Sequence, residues 1–215
     1  MTTDQMKFWQ GQFGKDYTDR NTLDLAEVDN GHVQRFGVSR TALNERFVGS
    51  LPRDTRILEV GCNVGQQLQV LQAMGFTSLT GVELQRYAVE RSRERVRGID
   101  IIQGSGFELP FRDGWFDVVM TNGVLIHISP ENHATIMREV VRCSRRYIWG
   151  FEYYAEQLTE VNYRGHDGYL WKADFASIYQ QHADGLHLVK QEMFAHLTAA
   201  DAGNVDAMYL LEKTA

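Results

Sequence analysis

The residues best suited to chemistry lie around one short turn: Glu59, then Gly61, Cys62, Asn63 and Gly65, in the run Arg56-Ile-Leu-Glu-Val-Gly-Cys-Asn-Val-Gly65. Glycines in such a turn let the backbone reverse tightly and approach a ligand without side-chain interference. A helix that starts beyond the turn directs its free amides at the same ligand. The pattern is not the dinucleotide one, because the middle glycine of Gly-x-Gly-x-x-Gly is missing between Gly61 and Gly65. Glu59 suits a ligand with positive groups, such as a sulfonium and an ammonium, better than a pyrophosphate. It also suits a structural partner for loop amides, and the two roles are compatible.

Further along, Glu83 follows Gly65 by 18 residues and ends a second apolar run. A carboxylate there can accept hydrogen bonds from both hydroxyls of a ribose, the alternative being an exposed strand-end acid without a role. Gly104-Ser-Gly-Phe-Glu-Leu-Pro-Phe111 and Thr121-Asn-Gly-Val-Leu125 each follow an apolar run as well. His127, just beyond the second of these, is the candidate general base. Set between Ile126 and Ile128, it has an equally open structural reading, a hydrogen bond to loop backbone.

These residues need a frame that brings strand ends together. Residues 56–61, 79–84, 99–103, 116–121 and 147–152 read as strands, with helical patterns over 64–74, 85–97 and 131–142. Alternation at this spacing implies parallel βαβ units in an α/β, doubly wound sheet whose ligand rim lies at the carboxyl ends of the strands. Leu186 to Phe194 and Asp206 to Glu212 read as two more strands joined without a helical pattern. The last strand is therefore expected to run antiparallel at or near the sheet edge, in a mostly parallel, seven-stranded, Rossmann-like sheet.

Residues 1–50 stand outside this scheme as an N-terminal helical cap, with residues 51–215 as the main domain. Phe8, Trp9, Phe13 and Tyr17 recur at near-helical spacing, and a second helix is predicted over about 33–48, carrying Val33, Phe36, Leu43 and Phe47. Two readings are open: helices packed on the sheet, or a lid over the ligand.

Composition narrows the class. With 43% hydrophobic residues the chain can fill a sizeable core. No apolar run reaches the roughly 18 residues that would span a membrane, and Met1-Thr-Thr-Asp-Gln-Met-Lys7 lacks the pattern of a secretory signal. Cys62 and Cys143 form neither a disulfide framework nor a metal-ligand spacing, so a reducing cytoplasm and no metal are expected. A net charge of −6 argues against a grip on long nucleic acid. The Arg-rich stretch 86–97 is interleaved with Glu90 and Glu94, as an exposed salt-bridged helix face would be.

The blocks Ile57-Leu-Glu-Val-Gly-Cys-Asn-Val-Gly65, Gly81-Val-Glu-Leu84, Gly104 to Phe111 and Phe116-Asp-Val-Val-Met-Thr-Asn-Gly-Val-Leu125 together resemble the class I S-adenosylmethionine-dependent methyltransferases over about residues 50–213. The resemblance implies S-adenosyl-L-methionine as cofactor. Gly61, Cys62, Asn63 and Gly65 would line its methionine end, Glu83 would hold the ribose, Leu84, Ser105 and Gly106 would flank the adenine, and Asn122 and Val124 would close the site. Ser105 stands where many relatives carry Asp, which leaves the adenine amino group to a hydroxyl or to backbone. As a lid, the N-terminal segment would offer Tyr17 to cover the methionine end and Arg20 for its carboxylate. The N-terminal aromatic run, Val124-Leu-Ile-His-Ile-Ser-Pro130 and Tyr163-Arg-Gly-His-Asp-Gly-Tyr-Leu-Trp-Lys-Ala-Asp-Phe175 are similar to methylases associated with pseudaminic acid biosynthesis, which implies a sugar-related acceptor.

For the acceptor, Tyr153, Tyr154, Arg164, His166, Tyr169, Trp171 and Lys172 combine rings and cations suited to a small polar or anionic molecule. The bland alternative packs the rings onto the core and leaves the cations solvated. An acceptor in RNA or protein, or a protein that binds the cofactor without catalysis, are the rival readings. The sequence leaves the oligomeric state open.

Overall fold

The computed structural model describes residues 2–21 and 24–214. Four short helices come first: α1 (Asp4–Gln10), α2 (Gln12–Arg20), α3 (Leu25–Phe36) and α4 (Arg40–Val48). The sheet then builds through β1 (Arg56–Val60), α5 (Gln66–Ala73), β2 (Ser78–Glu83), α6 (Arg86–Arg95), β3 (Asp100–Gln103), β4 (Phe116–Asn122), α7 (Pro130–Cys143) and β5 (Ser144–Tyr153). A small hairpin, β6 (Thr159–Glu160) and β7 (Trp171–Lys172), is followed by α8 (Phe175–His182), β8 (Leu186–Ala195) and β9 (Val205–Lys213).

Seven strands form one sheet in the order β3-β2-β1-β4-β5-β9-β8. The first five are parallel, and β9 is antiparallel to both neighbours. The continuous apolar runs of β1 and β4 have their physical reason here, because both strands are central and covered on two faces. One face buries Leu58, Val119, Ile136, Val140 and Tyr179 beneath α7 and α8. The other buries Leu43, Phe47, Leu68, Leu71 and Trp149 beneath α4 and α5.

The doubly wound, mostly parallel sheet is the expected one, with its last strand antiparallel near the edge, and two local corrections concern helices. The helix predicted over 33–48 is two helices: Gly37 ends α3 in the left-handed conformation (φ 73°), and the Ser39 side chain caps α4. The segment between β5 and β8 contains α8, capped by Asp174 and burying Phe175, Ala176 and Tyr179. Its eight residues were too short for a clear helical pattern. Because α8 carries the chain across to β8, the outer position goes to β8, and β9 returns into the gap beside β5, one strand in from the edge. Burial agrees, since β9 is mostly buried and β8 mostly exposed or half-exposed.

Of the segment assigned to the cap, residues 1, 22 and 23 lie outside the described residues, as does residue 215 of the main domain. No helix among the described residues is long and apolar enough to cross a membrane, and no group of three or more His, Cys, Asp or Glu there could hold a metal ion.

Candidate cofactor and acceptor site

A cavity opens at the carboxyl ends of β1, β2 and β4, where parallel strands leave a crevice. Beyond β1, the Gly61 and Cys62 amides both donate to the Val82 carbonyl, at 2.8 and 3.1 Å, which ties the turn to β2. Gly61 has φ 75°, and a Cβ there would stand 2.6 Å from Val124 Cγ2. Asn63 holds a left-handed φ of 48° while its own Oδ1 accepts from the Val64 amide at 2.8 Å, a local bond that makes Asn tolerable there. Gly65 (φ 81°) precedes α5 and turns the chain from beneath, against Ile101, away from the cavity wall.

Glu83 is buried, and both its oxygens are engaged: Oε2 accepts from the Asn63 amide at 2.8 Å and Oε1 from the Gln85 amide at 2.7 Å. Burial raises its pKa and these amides oppose the rise. Glu59 is also buried on the wall, but its Oε2 has no hydrogen-bond partner. Burial pushes its pKa up to about 8, with Arg40 pulling the other way. Cys62, buried beside these acids, has its thiol pKa raised, by burial first.

On the opposite wall, Leu84, Ser105, Gly106 and Phe107 form a second group. The Ser105 hydroxyl oxygen accepts from the Phe107 amide at 3.2 Å, so it shapes its own loop. Gly106 allows close packing, since a Cβ would lie 2.9 Å from both Ile136 Cδ1 and Val60 Cγ1. Asn122 and Val124 complete this part of the wall. Buried Glu152 sets the turn that carries them, accepting from the Val124 amide at 3.2 Å and the Ile126 amide at 3.5 Å. Its pKa rises to about 7, again by burial.

His127 lies on the wall and is buried. Its Nδ1 sits 2.7 Å from the Tyr169 carbonyl oxygen, which can only accept, so Nδ1 carries the proton and Nε2 is left as an acceptor. Burial lowers the imidazole pKa to about 4, and the Tyr169 bond opposes that only in part. The ring is flanked by Trp9 at 4.7 Å and Tyr163 at 4.8 Å between centroids. The loop bond read for His127 is present, and the ring also lies on the cavity wall.

The N-terminal helices cover this side. Tyr17 reaches the wall, with its ring 5.1 Å from that of Trp9. Arg20 does not: it is exposed at the end of α2. The buried cation on the wall is Arg40, which sequence reasoning missed. Arg40 Nε donates to Gln67 Oε1 at 2.7 Å, its guanidinium lies 4.9 Å from the Phe151 ring centre, and Nη2 has no partner. Burial brings its pKa down to about 10. A signal was available: Arg40, Leu43 and Phe47 share the apolar stripe of one helix, an unusual place for a cation.

The seven residues assigned to the acceptor do not join this wall. Trp171 is buried, and the Lys172 ammonium bonds Asn204 Oδ1 and stands 5.5 Å from the Tyr153 ring centre. Tyr154 is fixed through its amide to the Val205 carbonyl at 2.8 Å. Tyr169 and His166 pack on Phe8 at 4.3 and 5.1 Å, and Arg164 is exposed on a turn with φ 52°. Here α1 seats itself on this hairpin, with Gln5 Nε2 donating to the Gly168 carbonyl at 3.0 Å, and α1 side chains line the cavity where those of the hairpin do not. Trp9, on the segment read as a possible lid, lines the wall together with Met6 and Gln5, which sequence reading did not single out.

Comparison with known proteins agrees with this geometry. Residues 58–147 match the family described as methyltransferase domain. The chain is 28% identical over 113 residues to 27-O-demethylrifamycin SV methyltransferase of Amycolatopsis mediterranei, covering 49% of this chain and 41% of that protein. It is 29% identical over 146 residues to phthiotriol/phenolphthiotriol dimycocerosates methyltransferase 1 of Mycobacterium ulcerans, covering 66% of this chain and 51% of that one. The chain thus spans about half the length of these curated relatives. Among solved structures, a S-adenosylmethionine-dependent methyltransferase from Methanosarcina mazei superposes with a TM-score of 0.64 over 77% of this chain and 95% of its own, at 15% identity, a likeness of fold.

The cavity also fits the cofactor of such proteins, for it offers a buried carboxylate and a buried guanidinium with free positions beside a glycine turn. Residues 58–147 thus match a methyltransferase-domain family, and the sheet shares the fold of S-adenosylmethionine-dependent methyltransferases.

Proposed function

We propose that the chain transfers a methyl group from S-adenosyl-L-methionine to an oxygen or nitrogen of a small polar molecule. One observation carries this reading: Glu83, Glu59 and the Gly61 turn share a single cavity wall with His127. In this reading Glu83 accepts from the ribose hydroxyls through lone pairs not used by backbone. Leu84, Ser105 and Gly106 flank the adenine. Gly61, Cys62, Asn63, Asn122 and Val124 enclose the methionine end, Gly65 sets the turn, and Tyr17 covers it. Arg40, in place of Arg20, takes the carboxylate, and Glu59 takes the ammonium.

The bound cofactor supplies an activated methyl on a sulfonium, so the protein's task is chiefly positioning. His127, neutral and held in one tautomer, accepts a hydrogen bond from the acceptor hydroxyl or amine through Nε2 and orients its lone pair. With a pKa near 4 it is a weak base, so orientation is its larger share. Residues 1–50 act as a cap whose α1 and α2 screen the reacting groups from water.

A sugar-related acceptor is the finer reading. It rests on the resemblance to sugar-pathway methylases and on Trp9, a ring on the cavity wall beside His127 on which a sugar face can stack. The negative net charge supports a small acceptor over nucleic acid, and the two buried free cysteines support a reducing compartment.

Calorimetry with S-adenosylhomocysteine and with nicotinamide dinucleotides tests the reading. Binding of the first and none of the second is expected; the reverse result would overturn it.

A further inference from the structure

Four hydrogen bonds close a ring between the cofactor wall and the N-terminal helices. Asn63 N donates to Glu83 Oε2 at 2.8 Å, Asn63 Nδ2 to Thr18 Oγ at 3.1 Å, the Thr18 hydroxyl to Gln85 Oε1 at 3.1 Å, and Gln85 N to Glu83 Oε1 at 2.7 Å. Gln85 Nε2 then reaches out of the ring to the Trp9 carbonyl at 2.9 Å and the Gly11 carbonyl at 3.3 Å. These two carbonyls belong to the junction of α1 and α2, and the Trp9 side chain at that junction flanks His127. Thr18 and Gln85 are buried, so every broken member would leave a polar group without water.

The close approach depends on Gly14. A Cβ there would fall 1.8 Å from the Trp9 carbonyl oxygen and 2.6 Å from Gln85 Nε2. Gly14 thus keeps open the space through which Gln85 holds the junction.

We propose that Gln85 is a positioning residue that couples occupation of the cofactor cleft to the seating of Trp9 over the acceptor side. This rests on the cofactor assignment above. A ribose held by Glu83 fixes the carboxylate, the carboxylate fixes the Asn63 and Gln85 amides, and Gln85 and Asn63 fix Thr18 and the α1–α2 junction. The acceptor wall is therefore held more tightly when the cofactor is in place, which favours an order of binding with cofactor first.

Amide hydrogen exchange on the full chain, with and without S-adenosylhomocysteine, reads this coupling. In the wild type the ligand is expected to slow exchange in residues 4–20 by about tenfold or more. In Gln85→Leu, which keeps the backbone amide on Glu83, calorimetry should still detect ligand binding while the slowing drops below about twofold. A purely structural role would raise exchange equally in both states and leave their ratio unchanged, which would overturn the proposal. Gly14→Ala attacks the same contact from the α2 side with Gln85 intact and should also lose the slowing; if it retains the wild-type ratio, the proposal fails even where Gln85→Leu does not fold. Ligand that binds the wild type without slowing residues 4–20 refutes the coupling alone. No binding of S-adenosylhomocysteine to the wild type refutes the cofactor reading and this inference with it.

Discussion

Glu59 Oε2 and Arg40 Nη2 stand on the wall of one cavity, both buried and both without a hydrogen-bond partner. Each favours the charged form of the other, yet burial prevails for both: the carboxyl is pushed up to about 8 and the guanidinium down to about 10. A buried acid and a buried guanidinium, each with an open position, can pair with the two ends of a zwitterion, and the amino-acid end of the proposed cofactor is one.

The first consequence concerns protons. Glu59 is largely protonated at pH 7 in the free protein, because its pKa lies near 8. An ammonium placed beside it favours the carboxylate, so binding should release a proton. Calorimetry of S-adenosylhomocysteine in buffers of different ionisation enthalpy should show release of close to one proton at pH 7. Glu59→Gln should abolish that release, and buffer-independent heats in the wild type would refute the assignment.

Arg40 and Glu83 should separate the two ends of the ligand. Arg40→Gln is expected to weaken S-adenosylhomocysteine by about 10- to 100-fold, the worth of a buried charge-assisted hydrogen bond. It should leave 5′-methylthioadenosine, which lacks the amino-acid end, almost unaffected. Equal losses for the two ligands would remove Arg40 from the carboxylate role.

Glu83→Ala should weaken both ligands, since both carry the ribose. A loss of about 100-fold or more is expected, because the substitution also frees the buried Asn63 and Gln85 amides. Retention of 5′-methylthioadenosine affinity would contradict the ribose assignment.

His127 should titrate near 4, well below an ordinary histidine. Its pKa is lowered by folding, so its contribution to stability is complete above the unfolded value of about 6.5 and is lost as pH falls toward 4. That contribution amounts to at most about 3 kcal/mol. His127→Phe should show a shallower fall in urea stability between pH 6.5 and 4.5 than the wild type. An NMR titration of the wild-type imidazole with a midpoint near 6.5 would contradict this.

Much of the frame was legible because it is local. Glu59 to Gly65 and Glu83 sit at the ends of apolar runs, and the βα alternation puts such ends on one rim. Arg40 and Gln85 were illegible for the opposite reason, since each reaches its place through contacts with residues distant in sequence, as in the 76-residue separation of Gln85 and Trp9. Composition pointed to Arg164, His166 and Lys172 for an acceptor, but composition does not reveal that α1 packs on their hairpin and lines the cavity in its place. Arg20 fell to the same limit. Its type suits a carboxylate, and only the packing of α2 shows that it ends in solvent.

A crystal structure of the chain with S-adenosylhomocysteine tests the central claim most directly. The ribose hydroxyls should lie within about 3 Å of Glu83, the carboxylate at Arg40 Nη2, and the sulfur on the side of the cavity that His127 and Trp9 enclose. Ligand bound elsewhere, or bound here with its ribose away from Glu83, would contradict it.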